Sequence, residues 1–220
     1  MDDIVKAALA KWPTVPHCHG WLAMDMRGDW YMRDDRIQAA GPFPQVKGSR
    51  ILHDKLLAFI HRNYGADEAG AWYFQNGPQR VYVTLEAAPF TWRVNHTGRA
   101  WCVTAHTGHT AQVRSVWLDD AGRLFLDTDI GFGLVHTLDM GLAAQAVEQG
   151  DWSPQPLAFA QMPARFGYVL KPEPAGSAGR PVWLCTVKCP SGASFTGSTP
   201  STRHTQGAAS SSTYTRCGPF

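Results

Sequence analysis

The sequence predicts an α+β protein in which an antiparallel β-meander is covered on one side by two or three helices. Three segments carry apolar residues at the three- and four-residue spacing of an amphipathic helix. Between the second and third, segments such as "RVYVTLE" and "FTWRV" alternate apolar and polar residues, which is the period of a half-buried strand. Turn dipeptides, among them Asn76-Gly77 and Thr97-Gly98, separate these segments and favour antiparallel hairpins.

The three predicted helices have recognisable ends. The first covers about residues 3–12 and ends at Pro13, which cannot continue a helix. The second covers about residues 49–64, with Gly65 where a left-handed C-terminal cap is wanted. The third starts at Thr137 and stops at about residue 150.

The spacing Asp-x-x-Gly occurs three times between or beside the predicted strands, at residues 25–28, 67–70 and 119–122. In a tight hairpin turn the aspartate accepts hydrogen bonds from the turn backbone, and the glycine takes a positive φ that other residues avoid. We therefore expect three hairpins of similar construction. Their unequal spacing argues against a solenoid or propeller repeat.

Charge and hydropathy exclude two classes of partner. The chain has 20 Lys and Arg against 18 Asp and Glu, a net charge of +2, which is too small for the basic surface of a nucleic-acid-binding protein. No run of about 18 apolar residues could span a membrane. The first residues, "MDDIVKAALAKWP", lack the basic start of a signal peptide. We expect a cytoplasmic protein that binds neither nucleic acid nor membrane.

Cysteine usage indicates a reducing compartment, and the motif content favours a protein without enzymatic activity. The five cysteines are an odd number scattered along the chain, unlike a disulfide framework, and a reducing compartment would keep them as thiols. No stretch matches a catalytic, phosphate-binding or dinucleotide-binding motif, so we expect no cofactor.

The last part of the chain differs from the rest in composition. Residues 176–220 contain no acidic residue. From Pro190 onward Ser, Thr, Gly and Pro dominate, a composition that buries too little apolar surface to offset the entropy of ordering. We predict a single α+β domain over residues 1–174, followed by a tail over residues 175–220 that is disordered or translated out of frame.

A cluster of two histidines and a cysteine, "VPHCHGW", raises the question of metal binding. In an extended segment His17 and His19 share one face and the cysteine between them points away. The cluster then offers two ligands, and zinc would need at least one more, for instance from His96, His106 or His109. Histidines that pack or form hydrogen bonds are commoner than metal ligands.

Two adjacent aromatic pairs are the best candidates for ligand binding. Within Trp30-Tyr31 and Trp72-Tyr73, one ring should face the core and the other should face outward, because side chains alternate along a strand. We expect the two tryptophans to fill the core and the two tyrosines to point outward. Hairpins lying side by side would make the tyrosines a platform for a planar or apolar ligand. Alternatively, these rings cover the sheet beneath a helix.

Long segments of the chain resemble a known family. These segments are "MDDIVKAALAKWPTVPHCHGWLAMDMRGDWYMRD", "FIHRNYGADEAGAWYFQNGPQRVYVTLE", "DTDIGFGLVHTLDMGLAAQAVEQGDW" and "PARFGYVL". They are similar to a family of small, cytoplasmic proteobacterial proteins of unknown function, over about residues 1–170. The resemblance implies no assigned activity and no functional residues. It ends after about Pro174, which strengthens the frameshift hypothesis for the tail.

Three functions remain open at this point. The first is a non-catalytic protein that binds a small molecule or a protein partner. The second is an enzyme or metal-binding protein with a site around His17 and His19. The third is a structural subunit of a homo-oligomer, since the edge strands of a meander invite pairing.

Overall fold

The computed structural model describes residues 1–98 and 100–174, together with two short strands at residues 186–188 and 194–196. It confirms the α+β class. The described residues form five α-helices and two short 3₁₀ helices, none long and apolar enough to cross a membrane. The α-helices are α1 (Asp3–Lys11), α2 (Asp35–Ala40), α3 (Asp54–Arg62), α4 (Met140–Glu148) and α5 (Met162–Phe166), and the 3₁₀ helices span Thr137–Asp139 and Phe159–Gln161.

The described strands form two large sheets and one two-stranded sheet. The first large sheet contains β1 (Cys18–Met24), β2 (Trp30–Met32), β3 (Ser49–Arg50), β4 (Tyr64–Ala66), β5 (Trp72–Asn76) and β6 (Gln79–Leu85). The second contains β7 (Phe90–His96), β8 (Trp101–Ala105), β9 (Thr110–Ala111), β10 (Val113–Leu118), β11 (Leu124–Thr128), β12 (Phe132–Val135) and β13 (Gln155–Pro156). The small sheet pairs β14 (Thr186–Lys188) with β15 (Ser194–Thr196).

The sheets are mainly antiparallel, as expected for a meander, but each contains parallel pairs. The first sheet has the order β3-β2-β1-β6-β5-β4, and the second has the order β13-β10-β11-β12-β7-β8-β9. Within them, β1 and β6, β7 and β12, and β10 and β13 run parallel. Parallel neighbours need a long connection. Alternation of apolar and polar residues marks strands but does not show which distant strands pair, so these pairs were not predicted.

The three Asp-x-x-Gly turns are built as predicted. In each, one carboxylate oxygen of the aspartate accepts backbone N–H groups two and four residues later, at 2.7–3.0 Å. The glycines have φ of +79° at Gly28, +77° at Gly70 and +74° at Gly122. In this region a Cβ is strained, so the turn itself requires glycine.

Two predicted helices match the structure closely, and the middle one is shorter than predicted. The first and third are α1 and the 3₁₀ segment that continues into α4. Helix α3 begins at Asp54 because residues 49–50 pair with β2 as strand β3. The Nδ1 atom of His53 accepts the Leu56 N–H at 3.2 Å and caps the helix. Gly65 is part of β4 instead of a helix cap.

Helices α3 and α4 bury apolar faces against different sheets. Leu56, Phe59 and Ile60 of α3 join a core that also contains residues of the first sheet. The small residues Ala143 and Ala146 of α4 are fully buried in a second core on the other sheet. The last turn of α3 approaches the second sheet, since the ring of His61 lies 5.4 Å from that of His106, the residue that follows β8.

The predictions for the tail after residue 175, including a shifted reading frame, lie outside the described residues apart from β14 and β15. The expectation of thiols throughout is wrong at Cys18, which is disulfide-bonded. Cys102 is a free thiol.

Candidate functional site

The two predicted aromatic pairs do not form a shared platform. Trp30-Tyr31 lies on β2 and Trp72-Tyr73 lies on β5, and strands β1 and β6 separate them in the first sheet. Strand pairing places both tyrosines on the same face of the sheet, as the alternation predicted. The hairpins are not side by side, so the condition for a joint binding surface is not met.

The first pair is oriented as predicted. Trp30 is 1% exposed and lies in the core, whereas Tyr31 is half-buried. The Tyr31 hydroxyl donates to Asp25 at 3.0 Å, and the Lys47 ammonium contacts the same carboxylate oxygen at 2.8 Å. Although burial acts to raise it, the pKa of Asp25 is lowered by Lys47 and by the turn N–H groups. Tyr31 therefore belongs to a structural ion network that fastens the first turn.

The second pair has the opposite burial from the one predicted. Tyr73 is 8% exposed, and Trp72 is half-buried. Tyr73 packs against Tyr82, at 5.8 Å between ring centroids, and a guanidinium lies 4.5 Å above its ring. Trp72 contacts Phe90 of the second sheet at 5.0 Å. The larger ring, that of Trp72, lies at the junction of the two sheets. The ring of Tyr73 is covered by its neighbours on its own face of the first sheet.

His17 and His19 contact an aromatic ring. His19 stacks on Tyr82 with ring centroids 4.4 Å apart, and His17 meets the same ring edge-on at 5.8 Å. Burial lowers the pKa of both imidazoles. Within the described part of the chain, no group of three His, Cys, Asp or Glu side chains could hold a metal ion. The third ligand that zinc would need is not supplied by His96, His106 or His109 there.

A cavity of about 250 Å³ lies between the turn that joins β1 to β2, strand β3 and helix α3. We call it the Trp30–His61 cavity. Its lining combines charged, aromatic and aliphatic residues, and comprises Gly28, Asp29, Trp30, Arg50, Ile51, Leu52, Asp54, Leu57 and His61. Of the residues that the sequence singled out for ligand binding, Trp30 is the one found here.

His61 lies in the last turn of α3 and is held by Trp30. The indole N–H of Trp30 donates to Nε2 of His61 at 3.1 Å. Burial, together with the nearby His109, lowers the pKa of His61 to about 4, so the ring is neutral at pH 7. With Nε2 accepting a hydrogen bond, the proton of the neutral ring is assigned to Nδ1. His61 is therefore a hydrogen-bond donor, and its Nε2 lone pair is not available to a reacting proton.

A second histidine, His106, lies behind the cavity wall, with its ring centroid 5.4 Å from that of His61. Its Nδ1 accepts the Thr91 N–H at 3.2 Å, which assigns the proton to Nε2. That Nε2 atom is buried and has no hydrogen-bond partner among the described residues. Burial, and then the neighbouring His61, lowers the pKa of His106 to about 3.

Aromatic rings from both sheets surround His106. Trp30 on β2, Tyr64 on β4 and Phe90 on β7 each lie 5.9 Å from it between ring centroids. The Tyr64 hydroxyl donates to the Pro89 carbonyl at 3.0 Å. These rings join the two sheets behind the cavity, and Trp30 is the one among them that lines it.

The charged groups of the cavity have both signs. Arg50 contacts Asp29 at 2.6 Å, and Asp54 lies in the first turn of α3. With His61 neutral, the lining carries two carboxylates and one guanidinium at pH 7. Such a lining can form hydrogen bonds and ion pairs, and the described residues that line the cavity include no nucleophile with an adjacent base.

Sequence reasoning missed Arg50, Asp54 and His61. All three lay inside the predicted helix over residues 49–64, where charged residues are ordinary surface residues. No sequence signal separates them, because the residue that caps α3 is His53, and histidine is not among the residues that usually mark a helix start.

Comparisons with known proteins identify a family but no activity. A family model described as "Protein of unknown function (DUF2946)" matches residues 1–173. No curated protein matches the chain. Two solved structures are similar, both of DUF1285 family proteins. The one from Shewanella baltica OS155 has 13% identity and a TM-score of 0.41, over 60% of this chain and 97% of its own. The one from Silicibacter pomeroyi DSS-3 has 14% identity and a TM-score of 0.42, over 66% of this chain and 84% of its own.

Proposed function

The chain belongs to this family of unknown function, and we propose that it is a non-catalytic protein that binds a small molecule in the Trp30–His61 cavity. The observation that carries the proposal is the cavity itself, with about 250 Å³ of space and a wall of mixed polarity. Binding sites for small molecules are typically concave, partly apolar and furnished with a few fixed polar groups. The volume suits a metabolite smaller than a typical drug.

The orientation of His61 supports binding rather than catalysis. A general base must offer a free lone pair to the proton it removes. The Nε2 lone pair of His61 accepts the Trp30 N–H, and burial keeps its pKa near 4. The ring is thus a fixed donor at physiological pH, which is the property expected of a recognition group.

The test is a thermal-shift screen of a metabolite library with the full chain and two matched variants. Leu57→Trp places a large ring in the cavity, because Leu57 is part of its wall. Leu138→Trp makes the same change at an exposed leucine, 75% accessible and away from the cavity. A ligand present at about 100 times its Kd stabilises the folded state by about 2.7 kcal/mol, or roughly 5–10 °C in a chain of this size.

We expect ligands that stabilise the wild type and Leu138→Trp but not Leu57→Trp. A ligand that still stabilises Leu57→Trp binds elsewhere and contradicts the assignment of the cavity. A diverse library in which no compound stabilises the wild type would count against small-molecule binding altogether.

A further inference from the structure

Near Arg50 the cavity has hydrogen-bond donors that make no hydrogen bond with described residues. A guanidinium has five N–H donors, and the one side-chain hydrogen bond that Arg50 makes among the described residues goes to Asp29, from a single nitrogen. The side chain of Arg50 is 53% exposed, so its remaining N–H groups are accessible. His61 lines the same cavity, and its neutral ring carries a further donor, the Nδ1 proton. Together these groups suit a carboxylate.

The cavity also has an acceptor that is not paired within the described structure. Asp54 is exposed, and its carboxylate makes no hydrogen bond or ion pair with described residues. It begins α3, while His61 lies in the last turn of that helix. Both side chains line the cavity. An ammonium group placed near Asp54 would gain an ion pair without breaking an existing one.

Between these polar groups the wall is hydrocarbon. Ile51, Leu52 and Leu57 line the cavity beside Trp30. Leu52 is 72% exposed, which places an apolar group at the rim. A ligand with an aliphatic or aromatic body would cover this surface.

On the basis of the proposed function, we propose that the ligand is a zwitterion with an apolar body. A free amino acid with a hydrocarbon side chain has this chemistry. Its carboxylate faces Arg50 and the Nδ1 proton of His61, and its ammonium faces Asp54. The hydrocarbon lies on the leucines of the wall.

A ligand with one sign of charge matches this lining less well. A ligand with a carboxylate but no ammonium would bring its negative charge near Asp29 and Asp54. It would supply no positive charge to offset that of Asp54. A simple amine would leave the donors of Arg50 and His61 without an acceptor. Removing a partner from a charge-assisted hydrogen bond typically costs a factor of ten or more in affinity.

The test compares phenylalanine with two analogues of the same hydrocarbon body, using calorimetric titration of the full chain. Phenethylamine lacks the carboxylate, and 3-phenylpropionate lacks the ammonium. Leucine, 3-methylbutylamine and 4-methylpentanoate repeat the comparison with a smaller body. We expect at least one of the two amino acids to bind, with each of its analogues bound at least about tenfold more weakly.

Variants assign each preference to a residue. Asp54→Asn should remove the advantage of the amino acid over the acid, and Arg50→Gln should remove its advantage over the amine. Asp35→Asn is the matched control, because Asp35 also lies in the first turn of a helix and is outside the cavity. Urea midpoints show whether each variant is folded.

The possible failures are distinguishable. An analogue that binds as tightly as its amino acid overturns the zwitterion assignment, and so does a set in which neither amino acid binds. In either case the proposed function stands if the library screen gives a ligand that Leu57→Trp excludes. A library screen in which no compound stabilises the protein contradicts both the zwitterion assignment and the proposed function.

Discussion

Lowering the pH from 7 to 5 should destabilise the protein through His61 and His106. Burial lowers the pKa of these imidazoles to about 4 and about 3, whereas an unfolded histidine has a pKa near 6.5. Below that value the unfolded chain binds protons that the folded chain does not. Stability therefore falls as the pH decreases from about 6.5 towards about 4.

The magnitude follows from the two pKa values. At pH 5 an unfolded histidine is nearly fully protonated and both folded rings are nearly neutral, so each contributes about 2 kcal/mol of lost stability. His61 faces a cavity open to solvent, which screens part of its share. We expect a loss of about 2–4 kcal/mol for the pair, a large part of the stability of a typical domain.

The assay is urea denaturation at pH 7, 6 and 5 for the wild type and for His61→Gln, His106→Asn and the double variant. The Gln carbonyl can replace Nε2 as the acceptor for Trp30, and the Asn carbonyl can replace Nδ1 as the acceptor for the Thr91 N–H. Each single variant should lose about half of the part of the pH dependence that the pair contributes, while the other histidines, His17 and His19 among them, keep theirs. Other histidines titrate equally in all four proteins and cancel in the comparison.

His96→Gln controls for the loss of an imidazole on an exposed strand end. A double variant that keeps the wild-type pH dependence between pH 7 and 5 would refute the argument. It would mean that the two rings are as accessible to protons in the folded chain as in the unfolded one.

Two further predictions concern the turns and are measured by urea denaturation. Gly122→Ala should cost about 1–2 kcal/mol from the positive φ alone, since its Cβ would meet no atom within 4 Å. Gly70→Ala should cost more than about 3 kcal/mol, because its Cβ would also overlap the carbonyl oxygen of Gly167; equal losses at the two positions would contradict the structure of the second turn. Asp25→Asn should cost about 2–3 kcal/mol, because it removes the buried partner of the Lys47 ammonium, which is partly in water. A loss within about 0.5 kcal/mol would show that the ion network does not hold the first turn.

Local chemistry in the sequence was sufficient for the turns and for most of the elements. The Asp-x-x-Gly spacing fixes a turn within five residues, and no distant part of the chain is needed to complete its hydrogen bonds. The helix over residues 3–12 was recognisable for the same reason, since Pro13 ends it locally.

Features that depend on distant partners were not predictable. Residues 49–50 have helical spacing with their neighbours, but pairing with β2 overrides that preference and moves the start of α3 to Asp54. Tyr73 was expected to face solvent because a phenol tolerates water. Its burial follows from Tyr82 on the neighbouring strand and from Arg80, whose positions relative to β5 are set by the register of the sheet.

The candidate site combines both kinds of feature at Gly28. The turn requires glycine at this position for its positive φ, which the sequence predicted. The same residue lines the Trp30–His61 cavity, and a Cβ there would lie 3.0 Å from the Cβ of His106. A side chain would therefore crowd His106, whose ring lies against those of Trp30 and His61. The glycine that the turn requires for its positive φ thus also lets the first turn pack closely against His106, behind the part of the cavity wall that Trp30 and His61 form.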